Sequence, residues 1–173
     1  MHESASGGRK TEIARRISGE LAECGVRLVA SLPDNWISAL IADIAADKRF
    51  VHVPVNREEA AIGLCAGAYM GGTGSAAVMG ASGFMTVIYA ITKINFSYEI
   101  PLLMLITLRG GLGDHHKHHI GNSLYLRPVI DALDLPFEVI DDAENIPKIS
   151  RAYRHSRTFL RPTLVALTRD LLR

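Results

Sequence analysis

Ile13, Ile17, Leu21 and Cys24 recur at helical spacing over 12–24, and a short apolar run over 26–31 follows directly after Gly25. This exchange between a 3.6-residue period and a compact apolar run continues to the end of the chain. The pattern predicts helices over 12–24, 36–46, 57–70, 84–96, 122–133 and 143–155, with Thr11 as the cap of the first. It predicts strands over 26–31, 50–55, 75–79, 101–107, 137–140 and 163–168. Pro128 is expected to split or restart the fifth helix, because proline removes an amide donor inside a helix. Six strands alternating with helices imply an α/β fold: a doubly wound, mainly six-stranded parallel sheet with helices on both faces.

A sheet of this kind binds ligands outside the carboxyl ends of its strands. The loops predicted there carry Pro33-Asp34-Asn35, the stretch 56–59, the Gly80-Ala81-Ser82-Gly83 turn, and a long glycine- and histidine-rich segment over 108–121. A loop that long inside one domain is functional or disordered.

The chain has 173 residues, 48% of them hydrophobic, enough for one compact domain, expected over 11–173. The polar start MHESASGGRK is expected to be a disordered leader over 1–10 and not a signal peptide. Nineteen Lys and Arg balance eighteen Asp and Glu, so charge gives no reason to expect nucleic acid as a partner. No apolar run approaches the roughly 20 residues of a membrane helix. Cys24 and Cys65 form no CxxC pair and read as reduced thiols of a cytoplasmic protein.

The most informative stretch is NREEAAIGLCAGAYMGGTG over 56–74, where Glu58 and Glu59 open a helix otherwise built from small and apolar residues. Such a helix must be packed closely by protein or ligand, and a carboxyl group at that contact needs a hydrogen-bonding partner. Gly72 to Ala77 matches a GxGxxA dinucleotide pattern, but a helix precedes it and a strand follows, the reverse of what nucleotide binding requires. Gly80, Ser82 and Gly83 read either as an electron-rich-group site at a helix start or as a Ser82 cap with close-packed glycines. The HHKHH run of His115, His116, His118 and His119 lacks a cysteine, and no metal ligand is assigned to it. These imidazoles read as a solvated loop or as hydrogen-bond donors and proton carriers. Asp34 reads as a turn residue or as part of a site.

Taken together, these residues resemble the pyrimidine-binding domain of the thiamine diphosphate-dependent 2-oxoacid decarboxylases, from about residue 12 to 172. In that family a glutamate lies ten residues before a tyrosine in a small-residue helix. Counting back from Tyr69 selects Glu59 and leaves Glu58 as a helix-start or surface residue. The resemblance implies that Glu59 hydrogen-bonds the cofactor's pyrimidine ring and that Gly80, Ser82 and Gly83 lie beside the cofactor. It also implies that Asp34, His118 and His119, the last two in KHHIGN, manage proton transfer and substrate orientation. VNREEAAIGLCAGAYMGG and IPLLMLITLRG are similar to the separate alpha subunits of sulfopyruvate decarboxylases and to the matching half of phosphonopyruvate decarboxylases. Asn35 and Arg109 are the expected contacts for a three-carbon 2-oxoacid bearing a sulfonate or phosphonate, although Arg109 also reads as a surface cation.

The family's diphosphate-binding half carries a Gly-Asp-Gly motif followed by paired asparagines that help hold magnesium, and this sequence has neither. The resemblance therefore implies a hetero-oligomer. A beta subunit would bring the diphosphate and Mg2+ site, alpha chains would associate with one another, and thiamine diphosphate would bridge the chains. Two other readings stay open: a subunit of a pyruvate-like decarboxylase or carboligase, and a non-catalytic regulatory or assembly module of the same fold.

Overall fold

The computed structural model describes the backbone of residues 2–172, with side chains from residue 8. The chain runs through α1 (His2–Glu23), β1 (Leu28–Ser31), α2 (Ser38–Ala46), β2 (Val51–Pro54), α3 (Glu58–Met70) and β3 (Ser75–Met79). It continues through the short helices α4 (Ala81–Thr86) and α5 (Ile88–Ala90), the latter passing into a π-helical turn over Ile91–Phe96. The last part comprises β4 (Leu102–Thr107), α6 (Lys117–Ala132), β5 (Phe137–Ile140), α7 (Lys148–Phe159) and β6 (Pro162–Leu167). A single 3-10 turn, Ala143–Asn145, precedes α7.

All six strands are parallel and lie in the order β2-β1-β3-β4-β6-β5. The central strands β3, β4 and β6 are buried along their whole length, as a sheet covered on both faces requires. Alternation sorts their side chains into two cores. Val29, Val78, Leu103, Leu105 and Val165 face α1, α2 and α7, around Ile17, Leu21, Leu40 and Ile149. Ala77, Met79, Met104, Ile106 and Leu164 face the other way, against Ile62, Cys65, Phe84 and Ile130. The order reverses direction between β1 and β3 and again between β4 and β6. Crevices therefore open at the carboxyl ends of the four strands that precede Asp34, Gly80, Arg109 and Arg169.

Several elements differ from the sequence expectation, each for a local reason. The leader expected to be disordered is helical from His2, and α1 passes straight through Thr11, which is not its cap. Once Ile13, Ile17 and Leu21 are packed, adding turns to a nucleated helix costs little. The α6 helix begins at Lys117, inside the histidine segment, and continues unbroken through Pro128. Pro128 is exposed, so the carbonyl it frees meets water while Leu126 and Ile130 stay in the core. The fourth predicted helix starts earlier, at Ala81, and is capped by Gly80, so Ser82 lies inside it and is not the cap. Gly72 takes φ +77 in the turn between α3 and β3, consistent with a helix-to-strand turn in place of a nucleotide fingerprint.

Candidate active site at the carboxyl edge of the sheet

Asp34 follows β1 and Arg109 follows β4, 75 residues apart in sequence, yet Arg109 Nη2 donates to both oxygens of Asp34 at 2.6 Å. The Asp34 carboxylate is fixed from its own loop as well: the Trp36 amide donates to Oδ1 at 2.8 Å. It also lies against Gly80, where an added Cβ would come within 2.8 Å of Oδ2. Glycine at this position lets the β3 turn approach the acid. The Arg109 guanidinium stacks over the Trp36 ring, 4.3 Å from its centroid.

The same guanidinium continues the network. Its Nη1 donates to His119 Nε2 at 2.7 Å, and His119 Nδ1 lies 2.9 and 3.0 Å from the two oxygens of Asp114. Arginine has only donors, so His119 Nε2 must accept, and the ring proton must sit on Nδ1 and point at Asp114. The imidazole is thus oriented by partners on both sides. Burial opposes ionisation of Asp114, but hydrogen bonds from His119 and from the His116 and Gly110 amides outweigh it and hold the carboxyl well below the usual carboxylate range. Side-chain exposure falls from 16% at Asp34 to 11% at Arg109, 10% at His119 and 5% at Asp114, so these contacts form away from bulk water. Gly110, at φ +81, makes this possible, since a Cβ there would overlap the His119 carbonyl.

A cleft of about 310 Å³ opens above the network, with Asn35 and Arg169 also on its walls. His118 is exposed, its ring 4.2 Å from that of His119. Asp34, Arg109, His118 and His119 thus gather as the sequence led one to expect, with Asn35 at the rim. Most of the Arg109 donors are directed at protein acceptors. Among the described residues, no group of three His, Cys, Asp or Glu side chains is arranged to hold a metal ion.

The two glutamates of α3 have different partners. Glu59 pairs with Arg57 at 3.1 Å on the outer surface, whereas the Glu58 side chain lies on Gly83 of α4, so closely that a Cβ there would overlap its carboxyl and Cγ atoms. Both glutamates are partly exposed and each has buried residues three to seven positions further along α3, so they differ in their partners: Gly83 for Glu58 and Arg57 for Glu59. Ser82 is exposed and accepts from Asn122 Nδ2 at 2.8 Å, linking α4 to α6. The helices on this side of the sheet present Leu64, Met70, Tyr89, Leu124 and Tyr125 to solvent, with Met70 at 78% exposure.

No protein-family model matches the chain. A sulfopyruvate decarboxylase alpha subunit from Methanococcus maripaludis is 32% identical over 117 residues, covering 68% of this chain and 70% of that relative. The chain belongs to the sulfopyruvate decarboxylase alpha-subunit family. The alpha subunit from Methanocaldococcus jannaschii is 27% identical over 146 residues, covering 83% of this chain and 86% of its own length. A phosphonopyruvate decarboxylase from Streptomyces viridochromogenes is 27% identical over 124 residues, covering 70% of this chain but 31% of the longer enzyme. Among solved structures, 2-oxoglutarate:ferredoxin oxidoreductase from Magnetococcus marinus superposes with a TM-score of 0.70 at 14% identity. That match covers 92% of this chain and 29% of the oxidoreductase chain, and it establishes the fold.

Within this alpha-subunit fold, sequence reasoning did not assign Asp114, Trp36 or Arg169 to the cleft they line. Arg169 was within reach of the rule that located the others, since it follows β6 as Arg109 follows β4. Asp114 gave no such signal, because only the folded loop turns it toward His119.

Proposed function

We propose that this chain is the pyrimidine-binding subunit of a two-chain, thiamine diphosphate-dependent decarboxylase of a three-carbon 2-oxoacid bearing a sulfonate or phosphonate. We also propose that Glu58, and not Glu59, is the carboxyl group that meets the cofactor. The observation that carries this reading is the contact of Glu58 with Gly83, at the turn that also brings Gly80 against Asp34. An inward-facing acid beside side-chain-free backbone fits a flat heterocycle better than an acid paired at the surface. The names of the relatives support the reaction class and the need for a partner.

When bound, thiamine diphosphate supplies the electron sink that lets a 2-oxoacid lose carbon dioxide. This chain contributes the surroundings of the reacting atoms. Glu58 would hydrogen-bond the ring, and Gly83 would allow it to approach closely. Asp34 is kept in place by Arg109, Trp36 and Gly80. His118, exposed beside the fixed ring of His119, is the imidazole free to carry a proton between the cleft and water. Diphosphate and Mg2+ are assigned to a beta subunit, seated in part on the apolar side chains of α3, α5 and α6. Alpha chains associate with one another in the complex, which works in the cytoplasm. Among the described residues, no helix is long and apolar enough to cross a membrane.

The test is to co-express the chain with a beta subunit encoded beside it, add thiamine diphosphate and Mg2+, and measure carbon dioxide release from sulfopyruvate, phosphonopyruvate and pyruvate. Turnover preferring either acid-bearing substrate supports the proposal. Equal or better use of pyruvate replaces it with the pyruvate-like reading, and no turnover of any replaces it with the non-catalytic module.

A further inference from the structure

The cleft is bordered by two arginines, and they are not equivalent. Arg109 is committed: Nη2 to both Asp34 oxygens, Nη1 to His119, and Nε toward Thr107 Oγ1 at 3.5 Å. Turning it toward a ligand would break a bidentate ion pair and release its hold on His119. Arg169, one strand away, is held differently. Among the described residues, its one hydrogen bond runs from Nη1 to the Gly113 carbonyl at 3.1 Å. Its Nε is buried without an acceptor, and no carboxylate among the described residues lies within ion-pair distance of it. The guanidinium lies 5.9 Å from the Trp36 ring centroid, and Arg169 lines the cleft together with Asn35 and the histidines.

A guanidinium with a buried, unused donor is costly to maintain unless an anion completes it. Its fork of donors matches two oxygens of a carboxylate, sulfonate or phosphonate.

We propose that Arg169 is the specificity-determining residue that binds the acidic group at the far end of the substrate, a tetrahedral sulfonate or phosphonate, while Arg109 serves as a positioning residue for Asp34 and His119. This rests on the reading that the cleft accepts an acid-bearing 2-oxoacid. It replaces the expectation that Arg109 meets the anion. Both guanidinium groups lie near the Trp36 ring, 4.3 Å and 5.9 Å from its centroid, and all three residues line the same cleft.

The test uses the two-chain complex with thiamine diphosphate and Mg2+, and 3-sulfopropanoate as a non-reacting probe. Calorimetric titration of wild type, Arg169→Gln and Arg169→Lys gives probe affinity, with cofactor affinity and thermal midpoint read on the same samples. The expected result is a roughly tenfold to hundredfold loss of probe affinity in Arg169→Gln, partial retention in Arg169→Lys, and unchanged cofactor affinity and midpoint. Unchanged probe affinity, a loss that tracks cofactor affinity or the midpoint, or no saturable binding to wild type overturns the proposal. The two readings fail separately: a complex that binds the probe through Arg169 but releases no carbon dioxide refutes the decarboxylase, whereas one that decarboxylates sulfopyruvate equally well without Arg169 refutes only the anion site.

Discussion

Exchanging one oxygen for nitrogen at Glu58 and, separately, at Glu59 tests the assignment of the cofactor contact within a single turn of α3. The Glu58 side chain is half-buried and lies on Gly83; that of Glu59 is 34% exposed and pairs with an Arg57 that is itself 74% exposed. Glutamine preserves size and removes the ability to act as an acid or base. Loss of a positioned acid-base group costs about 10²- to 10⁴-fold in rate. That range corresponds to about 3 to 5 kcal/mol of transition-state stabilisation. Glu58→Gln is therefore expected to lower kcat in the two-chain complex by at least about 100-fold with the fold intact by circular dichroism. Glu59→Gln loses only a solvent-screened surface pair and is expected to stay within about twofold of wild type. The assay is steady-state carbon dioxide release at saturating cofactor, so that altered binding is not mistaken for altered chemistry. An inactive Glu59→Gln beside an active Glu58→Gln would refute the reasoning and restore the count from Tyr69.

Gly83→Ala places a methyl group where the Glu58 carboxyl lies, and it is expected to reduce turnover as severely as Glu58→Gln while leaving the far core undisturbed, read by activity alongside the thermal midpoint. Asp114 has a folded-state pKa below its unfolded value, so its contribution to stability is complete above the unfolded pKa of about 4 and is lost as pH falls through the folded one. Asp114→Asn should remove that acid-side slope from the midpoint-versus-pH curve, and an unchanged slope would contradict the network. Burial pushes the Cys65 thiol up to about 12, so it should resist alkylation at neutral pH until the protein unfolds, and labelling in native buffer as fast as in denaturant would contradict the packing.

The strand pattern was legible because each core strand is a short apolar run bounded by turn residues. The run over 75–79 coincides with β3, and the order of elements follows from the alternation. The edge strands β2 and β5 are only partly buried, yet prolines and aspartates in or beside them still marked them. Less legible were features set by tertiary packing. The extension of α1 through a glycine-bearing start depends on apolar residues a turn or more downstream, and the start of α6 within the histidine run depends on His119 being drawn under Arg109. The site shows the same division. Its location followed from the carboxyl-end rule, and Asp34, Arg109, His118 and His119 do gather there. Which of two adjacent glutamates points inward is a question of 100° on a helix, and a count anchored on one tyrosine could not resolve it. The contact of Glu58 with Gly83 is the observation that favours Glu58.

That this chain holds half of a shared cofactor site is tested most directly by titrating thiamine diphosphate with Mg2+ into the chain alone, into its beta subunit alone, and into the two mixed in equal amounts. The account predicts saturable binding that is at least about 100-fold tighter in the mixture than to this chain, because the charged end of the cofactor meets its partners only in the complex. Tight, magnesium-dependent binding by this chain alone, or affinity unaltered by mixing, would contradict it.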